Sequence, residues 1–192
     1  MNFMKWIIGL SGASGAIYGV KLLEFLSVKG GVETHLIITK RAEKILKWEL
    51  GLERNNVEKL ASYTYGEEDL EAPLTSGSFE ANGMVVVPCS MKTLSCIAYG
   101  IASNLLLRAA DVTLKEKRRL ILVPRETPLA YSHLKAMEFA AQSGAIILPA
   151  MPAFYHKPET INELVNFIVG KILDLMGIEH QLYRRWSDIA WK

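Results

Sequence analysis

The sequence predicts an α/β fold of three layers, in which helices cover both faces of a mostly parallel, Rossmann-like sheet. Short runs rich in β-branched residues alternate with longer amphipathic stretches, which is the pattern of repeated βαβ units. Half of the 192 residues are hydrophobic, enough to bury both faces of a sheet. We therefore expect a single domain over residues 1–192.

The β-branched runs predict five strands, at 6–10, 34–39, 84–88, 119–123 and 145–148. Helices are expected after each strand, at 14–29, 41–50, 91–99 with a continuation to 110, 131–143 and 160–176. The crossovers are long enough for right-handed βαβ connections. The more polar segment 55–82 is interpreted as an excursion over the strand ends.

Composition and charge exclude several classes of protein. Lys and Arg total 22 against 20 Asp and Glu, so there is no global field to attract nucleic acid or an anionic membrane. No segment approaches the roughly 20 apolar residues of a membrane span, and we expect a cytoplasmic protein. Cys89 and Cys96 lack the spacing of a zinc or redox pair, which predicts reduced, buried thiols and no metal site.

Polar residues follow the first two predicted strands, where an open parallel sheet binds its ligands. The loop G-L-S-G-A-S-G places Gly12, Ala13 and Ser14 at a helix start, suited to cradling a phosphate on free N–H groups. It fits neither G-x-G-x-x-G nor the Walker pattern, and a tight turn with an N-cap explains it equally well. Thr39 offers a ligand hydroxyl or an ordinary helix cap.

The loops after the third and fourth strands carry hydroxyls and cations. Ser90, Lys92 and Thr93 in P-C-S-M-K-T suit the phosphate end of a mononucleotide. A lysine in a first helical turn opposes the helix dipole, so a purely structural role explains Lys92 poorly. Arg125 and Glu126 in P-R-E-T-P can pair and hold the guanidinium against an anion, although a surface ion pair is the simpler alternative.

The carboxy-terminal part supplies a second set of groups. Tyr155 offers a hydroxyl and Lys171 a point charge for a small phosphate ester, while each alone also fits packing or a solvated face. The aromatic tail with Tyr183, Trp186 and Trp191 suggests subunit contact or a lid over a site. Convergence of the strand ends on anion-binding chemistry predicts a phosphorylated cofactor and leaves room for a second phosphorylated substrate.

These segments, together with S-G-S-F, N-L-L-L-R-A-A-D and A-M-P-A-F-Y, closely resemble the UbiX-type flavin prenyltransferases over nearly the whole chain. P-C-S-M-K-T and V-P-R-E-T-P are the specific parts of the likeness. The resemblance implies a flavoprotein fold and a homododecamer with FMN at subunit interfaces. The tail, about residues 178–192, is then expected in subunit contacts.

The resemblance also implies a role for individual residues. The implied FMN contacts are Gly12, Ala13, Ser14, Thr39, Ser90, Met91, Lys92, Thr93 and Arg125. The implied contacts of dimethylallyl phosphate are Tyr155, Lys171, Ser14, Arg108, Lys115 and Glu126, some of them from a neighbouring subunit. Catalysis is expected from Ser14, Lys115, Glu126, Tyr155 and Lys171.

The implied reaction joins the prenyl C1 to N5 of reduced FMN with loss of phosphate, then closes a ring onto C6 without a metal. The product, prenylated FMN, would serve a UbiD-type decarboxylase. Whether the allyl donor is a mono- or a diphosphate stays open. Thr39 stands where many relatives have Ser, and Leu70 where some place a Trp, which puts rate and substrate preference in doubt but not the reaction class.

Two other functions remain as alternatives. An FMN-dependent peptidyl-cysteine decarboxylase shares this fold class, but such enzymes use a His after the glycine loop and a P-x-M-N motif. This chain has no His in its first predicted helix and carries Pro149-Ala-Met-Pro152. A non-catalytic flavin carrier would keep the FMN contacts and tolerate loss of Lys115, Tyr155 or Lys171.

Overall fold

The computed structural model describes residues 4–190 and contains one six-stranded sheet in the order β3-β2-β1-β4-β5-β6, with every neighbouring pair parallel. Its strands are β1 (Met4–Leu10), β2 (Val32–Ile38), β3 (Tyr63–Gly66), β4 (Gly83–Cys89), β5 (Arg119–Pro124) and β6 (Ile146–Ile147). This is the order of a doubly wound Rossmann sheet, so the predicted fold class is confirmed.

Eight helices accompany the sheet within residues 4–190. They are α1 (Ala16–Lys29), α2 (Lys40–Leu50), α3 (Arg54–Glu58), α4 (Met91–Ala98), α5 (Leu105–Lys115), α6 (Tyr131–Gln142), α7 (Ile161–Met176) and α8 (Ser187–Ala190), with a short 3-10 turn at Pro73–Thr75. None of the helices described is long and apolar enough to cross a membrane.

Side chains alternate between two cores along the central strands, because successive residues of a strand point to opposite faces. On β1, Trp6 and Ile8 join the core beneath α1, α2 and α7, whereas Ile7 joins the core beneath α4, α5 and α6. On β5, Ile121 and Leu122 divide in the same way. Both faces of the sheet are therefore buried, as expected for a parallel sheet.

Several predicted boundaries were wrong. The segment 55–82 contains α3 and the edge strand β3, whose four residues are too few to give a clear alternation. The predicted continuous helix from 91 to 110 is two helices, because Gly100 takes a left-handed φ of 69° and Asn104 starts α5 with a new N-cap. Helix α1 begins at Ala16 rather than at 14.

The topology places the site. Strands β1 and β4 are neighbours, and the chain leaves them toward opposite sides of the sheet, so a crevice opens beyond their carboxyl ends. The loops that follow β1, β2, β4 and β5 meet at this edge. Most of the residues predicted to bind the cofactor belong to these loops.

Candidate active site

A cavity of about 450 Å³ lies at the carboxyl edge of the sheet, between the loops that follow β1, β2, β4 and β5. Seven of the predicted site residues line this carboxyl-edge cavity: Gly12, Thr39, Ser90, Met91, Lys92, Thr93 and Glu126. Its volume falls within the roughly 300–1,000 Å³ usual for small-molecule sites. The structure thus brings together residues that are more than one hundred positions apart in the sequence.

Ser11 joins the two central loops. Its hydroxyl donates to the carbonyl oxygen of Pro88 at 2.8 Å and accepts from the amide of Ser90 at 2.7 Å. The side chain is buried, with 2% of the residue exposed. Because a buried hydroxyl needs its partners, this bridge fixes the glycine loop against the start of α4. Sequence reasoning missed Ser11, although it stands inside the glycine motif.

The amino terminus of α4 is arranged to receive an anion. The Ser90 hydroxyl caps the helix by accepting from the Thr93 amide at 3.2 Å, and it donates to the Thr93 hydroxyl at 3.0 Å. The amides of Met91 and Lys92 have no acceptor among residues 4–190. The residues that carry these two free N–H groups, the Thr93 hydroxyl and the Lys92 ammonium all line the cavity, so the start of α4 offers it several donors and one positive charge.

The amino terminus of α1 is already occupied, which corrects the expected phosphate cradle. Its N-cap is Gly15, with φ 102° and no side chain to cap the helix. The Glu49 carboxylate from α2 supplies the cap instead, accepting from the Gly15 amide at 2.9 Å and the Ala16 amide at 3.0 Å. A phosphate at this helix start would have to displace the carboxylate, whereas the first amides of α4 have no acceptor in the described part of the chain.

Close packing shapes the floor of the cavity beside the glycine loop. A Cβ atom added to Gly12 would lie 2.4 Å from the Cβ of Arg41, so the loop approaches α2 as closely as glycine allows. Thr39 caps α2 by accepting from the Ala42 amide at 3.2 Å. Its hydroxyl proton stays available, so the cap and the ligand roles of Thr39 are compatible.

Arg125 lies against the glycine loop, where its Nε donates to the carbonyl oxygen of Ser14 at 3.2 Å. The expected pair with Glu126 is wrong: no ion pair joins them in the described chain, and a Glu126 oxygen accepts from the Thr127 amide at 3.1 Å. Burial raises the pKa of Tyr18, which packs below Gly15, although the positive charge of Arg125 works in the opposite direction.

Glu67 and Asn104 form a wall of the cavity that sequence reasoning did not find. The Glu67 carboxylate accepts from the Lys40 amide at 2.9 Å and from the Asn104 side-chain amide at 2.9 Å. Asn104 in turn caps α5 by accepting from the Leu107 amide at 3.0 Å. One carboxylate therefore ties the start of α2 to the start of α5. An N-cap asparagine was the only sequence signal for this wall.

Arg108 and Lys115 lie outside the carboxyl-edge cavity. Arg108 donates from Nε to the Thr75 carbonyl oxygen at 3.2 Å and pairs with Asp111 at 2.7 Å. Lys115 is the last residue of α5 and pairs with the neighbouring Glu116. Since α5 leads back to the amino end of β5, Lys115 lies roughly 17 Å, the length of a six-residue strand, from the edge that carries the cavity.

Tyr155 and Lys171 form a third group, on one face of α7. The Tyr155 ring packs edge-on against Phe167, with ring centroids 5.9 Å apart, and Lys171 lies one turn further along the same helix. Trp186 of the carboxy-terminal segment also packs edge-on against Tyr155, with ring centroids 5.4 Å apart. Neither Tyr155 nor Lys171 lines the carboxyl-edge cavity of its own chain.

Comparison with known proteins identifies the family. The Flavoprotein family profile matches residues 1–173. The chain is 47% identical over 186 residues to the flavin prenyltransferase UbiX of Methanocaldococcus jannaschii, an alignment that covers 97% of this chain and 100% of that protein. The chain belongs to the UbiX flavin prenyltransferase family. The likeness extends over both the cavity loops and α7.

Solved structures of UbiX-type proteins have the same fold. A structure of AnUbiX (PadA1) in complex with FMN and dimethylallyl pyrophosphate matches with a TM-score of 0.93 at 45% identity, covering 96% of this chain and 97% of that one. A dodecameric FMN-dependent UbiX-like decarboxylase from Escherichia coli O157:H7 also matches with a TM-score of 0.93, at 46% identity, covering 95% and 99% of the two chains.

The residues of the carboxyl-edge cavity fit the FMN that the UbiX family implies. The free amides of Met91 and Lys92 and the hydroxyl of Thr93 match the oxygens of a phosphate. Gly12 has no side chain, so it lines the cavity with backbone atoms alone. Cys96 also lines the cavity and is partly exposed, which corrects the expectation that both thiols are buried, whereas Cys89 is fully buried.

Proposed function

We propose that this chain is a flavin prenyltransferase that transfers a dimethylallyl group from dimethylallyl phosphate to N5 and C6 of reduced FMN. The observation that carries the proposal is the likeness to UbiX proteins over 97% of the chain, combined with a carboxyl-edge cavity whose lining includes Lys92 and the hydroxyls of Ser90 and Thr93. Reduced FMN supplies the nucleophilic nitrogen and ring carbon, and the product is prenylated FMN.

The protein's first task is to hold FMN. We assign the phosphate of FMN to the amino terminus of α4, where Ser90, Met91, Lys92 and Thr93 offer free donors and one positive charge. The ring system would lie toward the glycine loop, beside Ala13, Ser14 and Arg125. Thr39 would donate to the ribityl chain that joins the ring system to the phosphate. A charged donor beside two backbone amides binds a phosphate more strongly than neutral donors do.

The second task is to stabilise the leaving phosphate. As the allylic carbon–oxygen bond breaks, negative charge grows on the phosphate, so cations placed beforehand stabilise the transition state more than the bound substrate. We assign this role to Arg108, Lys115 and Lys171, with the Tyr155 hydroxyl as a further donor. Glu126, whose side chain lines the cavity, is the candidate acceptor for the proton lost on ring closure. No metal ion is required.

We further propose that the complete site is assembled from several copies of the chain. Lys115 lies near the amino ends of the strands, whereas Glu126 follows the carboxyl end of β5. Lys171 lies on α7 and Tyr155 packs against that helix, both outside the cavity lining. These groups can act on one phosphate only if neighbouring subunits contribute them. A dodecamer, as described for the relative from Escherichia coli, would provide such neighbours, with the tail at the contacts. Trp191, assigned to these contacts from the sequence, lies outside the described residues.

The remaining expectations complete the proposal. We place the chain in the cytoplasm as one flavoprotein domain over residues 1–192, supplying prenylated FMN to a UbiD-type decarboxylase. The word decarboxylase in the name of the relative from Escherichia coli is consistent with that indirect role. Leu70 is half exposed and does not line the cavity, so its role toward the allylic group stays a prediction.

Two alternatives make different predictions. A peptidyl-cysteine decarboxylase would oxidatively decarboxylate a cysteine-containing peptide, but α1 of this chain has no His, and 149–152 reads P-A-M-P instead of ending in Asn. A flavin carrier would bind FMN without needing cations on α5 and α7. We favour prenyl transfer because Lys115, Tyr155 and Lys171 have no role in either alternative.

The test is anaerobic incubation of the protein with reduced FMN and dimethylallyl phosphate, followed by mass analysis of the flavin. We expect a flavin enlarged by one five-carbon unit. Lys171→Ala is expected to keep FMN binding and abolish this product. Lys135→Ala is the control, since Lys135 is also half exposed and also precedes an acidic residue by three positions on a helix. An unmodified flavin from the unaltered protein would favour the carrier or the decarboxylase.

A further inference from the structure

Asp174 on α7 is the anchor of the tail, defined here as residues 178–190. Its Oδ2 accepts from the Tyr183 hydroxyl at 2.6 Å. Its Oδ1 accepts from Arg185 at 2.7 Å and lies 3.1 Å from Nε2 of His180. Three tail side chains therefore converge on one carboxylate, and both of its oxygens are bonded.

The tail is packed closely enough to hold these donors in place. A Cβ atom added to Gly170 would lie 2.6 Å from the Tyr183 ring and 2.7 Å from the His180 ring. Tyr183 also packs against Phe167, with ring centroids 4.9 Å apart. The His180 side chain is 1% exposed. The bonds to Asp174 thus belong to a packed contact rather than to loose surface side chains.

Lys171 lies three residues before Asp174, and its Nζ is 3.9 Å from Oδ2, which is the outer limit of an ion pair and beyond hydrogen-bond distance. An aspartate at this spacing would ordinarily attract the ammonium group. Here burial raises the pKa of Asp174, but the hydrogen bonds from Arg185 and Tyr183 outweigh burial and lower it to about 2. The charge of Asp174 is therefore satisfied by the tail, and the half-exposed ammonium of Lys171 can turn to another anion.

The same tail contacts the second group of the proposed phosphate site. Trp186 packs edge-on against Tyr155 at 5.4 Å, and Tyr155 also makes an edge-on contact with Phe167 at 5.9 Å. Edge-on aromatic contacts favour a defined ring orientation. The position of the tail thus affects both Tyr155 and Lys171.

We infer that the tail is a positioning element for the allylic phosphate: by saturating Asp174 with Tyr183 and Arg185, it keeps the Lys171 ammonium free to bind the substrate's phosphate. This inference rests on the proposed function, because it assumes that Lys171 contacts the phosphate. Without the tail donors, Asp174 takes Lys171 as its partner, and the positive charge available to the phosphate decreases. Asp174, Tyr183 and Arg185 are then positioning residues, not catalytic ones.

The test measures binding without turnover. The protein loaded with oxidised FMN is titrated by calorimetry with dimethylallyl phosphate and, separately, with inorganic phosphate. Tyr183→Phe combined with Arg185→Ala is expected to raise Kd for both probes roughly three- to tenfold, while Kd for FMN stays within about twofold. Arg185→Ala alone, at a half-exposed position, serves if the double variant fails to fold. Arg184→Ala is the control, since this exposed neighbour makes no bond to Asp174.

A thermodynamic cycle separates this role from general loosening of the fold. In a Lys171→Ala background, removing the two tail donors should produce no further loss of phosphate affinity. Adding Asp174→Asn to the tail variant removes the competing charge and should restore part of the affinity. Equal losses with and without Lys171, or no loss from the tail variant, would overturn the inference. Failure of the unaltered protein to make prenylated FMN would instead count against the proposed function.

Discussion

At the scale of single residues, the Ser90 hydroxyl has two roles that can be separated. It caps α4, and it orients the Thr93 hydroxyl at the corner proposed for the phosphate of FMN. Removing a serine cap lowers the free energy of unfolding by about 1 kcal/mol wherever the helix is. Loss of ligand affinity follows only where the cap lies in a binding site.

We predict that Ser90→Ala lowers the free energy of unfolding by about 1 kcal/mol and raises Kd for FMN roughly tenfold. Thr160→Ala is the matched control, because Thr160 caps α7 in the same way, accepting from the Glu163 amide at 3.2 Å, away from the cavity. It should reduce stability equally and leave FMN binding unchanged. Denaturant unfolding and flavin fluorescence titration measure the two effects, and equal Kd values for both variants would contradict the phosphate assignment.

The two cysteines should differ in reactivity. Cys89 is fully buried, and burial raises the pKa of its thiol, so little of the reactive thiolate forms. Cys96 lines the carboxyl-edge cavity and is partly exposed. We predict that iodoacetamide labels Cys96 in the native protein and spares Cys89, and that saturating FMN slows the labelling of Cys96. Peptide mass mapping measures both; labelling of Cys96 at the same rate with FMN bound would argue against FMN in this cavity.

Residue types alone predicted some contacts and not others. The caps at Thr39 and Ser90 were predictable, because hydroxyl residues before helices have a local reason to be there. The Glu49 carboxylate at the start of α1 was not, since its partners lie 34 and 33 positions away. Nothing local distinguishes Glu49 from any other glutamate on an exposed helical face. Contacts of this kind depend on how α1 and α2 pack.

At the scale of elements, α7 carries both the proposed substrate groups and the surface on which the tail lies. Gly170 permits this contact, because a side chain there would meet the rings of Tyr183 and His180. In an isolated helix, alanine is more favourable than glycine by about 1 kcal/mol. At position 170, helix propensity therefore favours alanine, whereas packing against the tail favours glycine.

We predict that packing dominates, so that Gly170→Ala lowers the free energy of unfolding by about 1–3 kcal/mol despite the better propensity of alanine. Asn162→Ala, at an exposed position of the same helix, is the control and should be neutral or slightly stabilising. Thermal unfolding reports the difference, and limited proteolysis should cut Gly170→Ala faster within residues 178–190. A Gly170→Ala protein as stable as the control, with an equally protected tail, would show that the tail does not need this contact.

Element boundaries were predictable where a strong local signal existed. Helix α7 was predicted within one residue, because it combines a Thr160 cap, a long apolar periodicity and a terminal Gly177 in the left-handed region. Strand β3 was missed, because its four residues lie at a sheet edge and have one partner, β2. The residues of a short edge strand need not show a pattern from which its pairing with a neighbouring strand can be predicted.

At the scale of the whole molecule, the sequence predicted the residues that line the carboxyl-edge cavity better than it predicted the positions of the other candidate site residues. The strand-end rule brings Gly12, Thr39, Ser90 and Glu126 to one edge, and the structure places all four around one cavity. No such rule governs Lys115. It is the last residue of α5, a helix that returns to the amino ends of the strands. Lys115 is distant from Glu126 of the same chain because the sheet is parallel. The two residues can therefore act on one substrate only if they come from different subunits of an assembly.

Mixing of variant subunits tests whether Lys115 and Glu126 come from different copies of the chain. Lys115→Ala and Glu126→Gln proteins are each expected to be inactive in prenyl transfer. If every site takes Glu126 from one copy and Lys115 from another, random co-assembly of equal amounts leaves both groups intact in about a quarter of the sites, by independent choice of subunits. Co-expressed, doubly tagged assemblies should therefore recover roughly a quarter of the activity of the unaltered protein.

The control pair is Arg125→Ala with Glu126→Gln. Arg125 and Glu126 are consecutive at the end of β5, so one copy must supply both to any site at its own sheet edge. Co-assembly of these two variants leaves every such site defective, and no activity should return. Recovery in the Lys115 and Glu126 mixture but not in this control locates Lys115 in trans. A Lys115 and Glu126 mixture that stays inactive, in assemblies shown to contain both chains, would mean that Lys115 does not complete its neighbour's site.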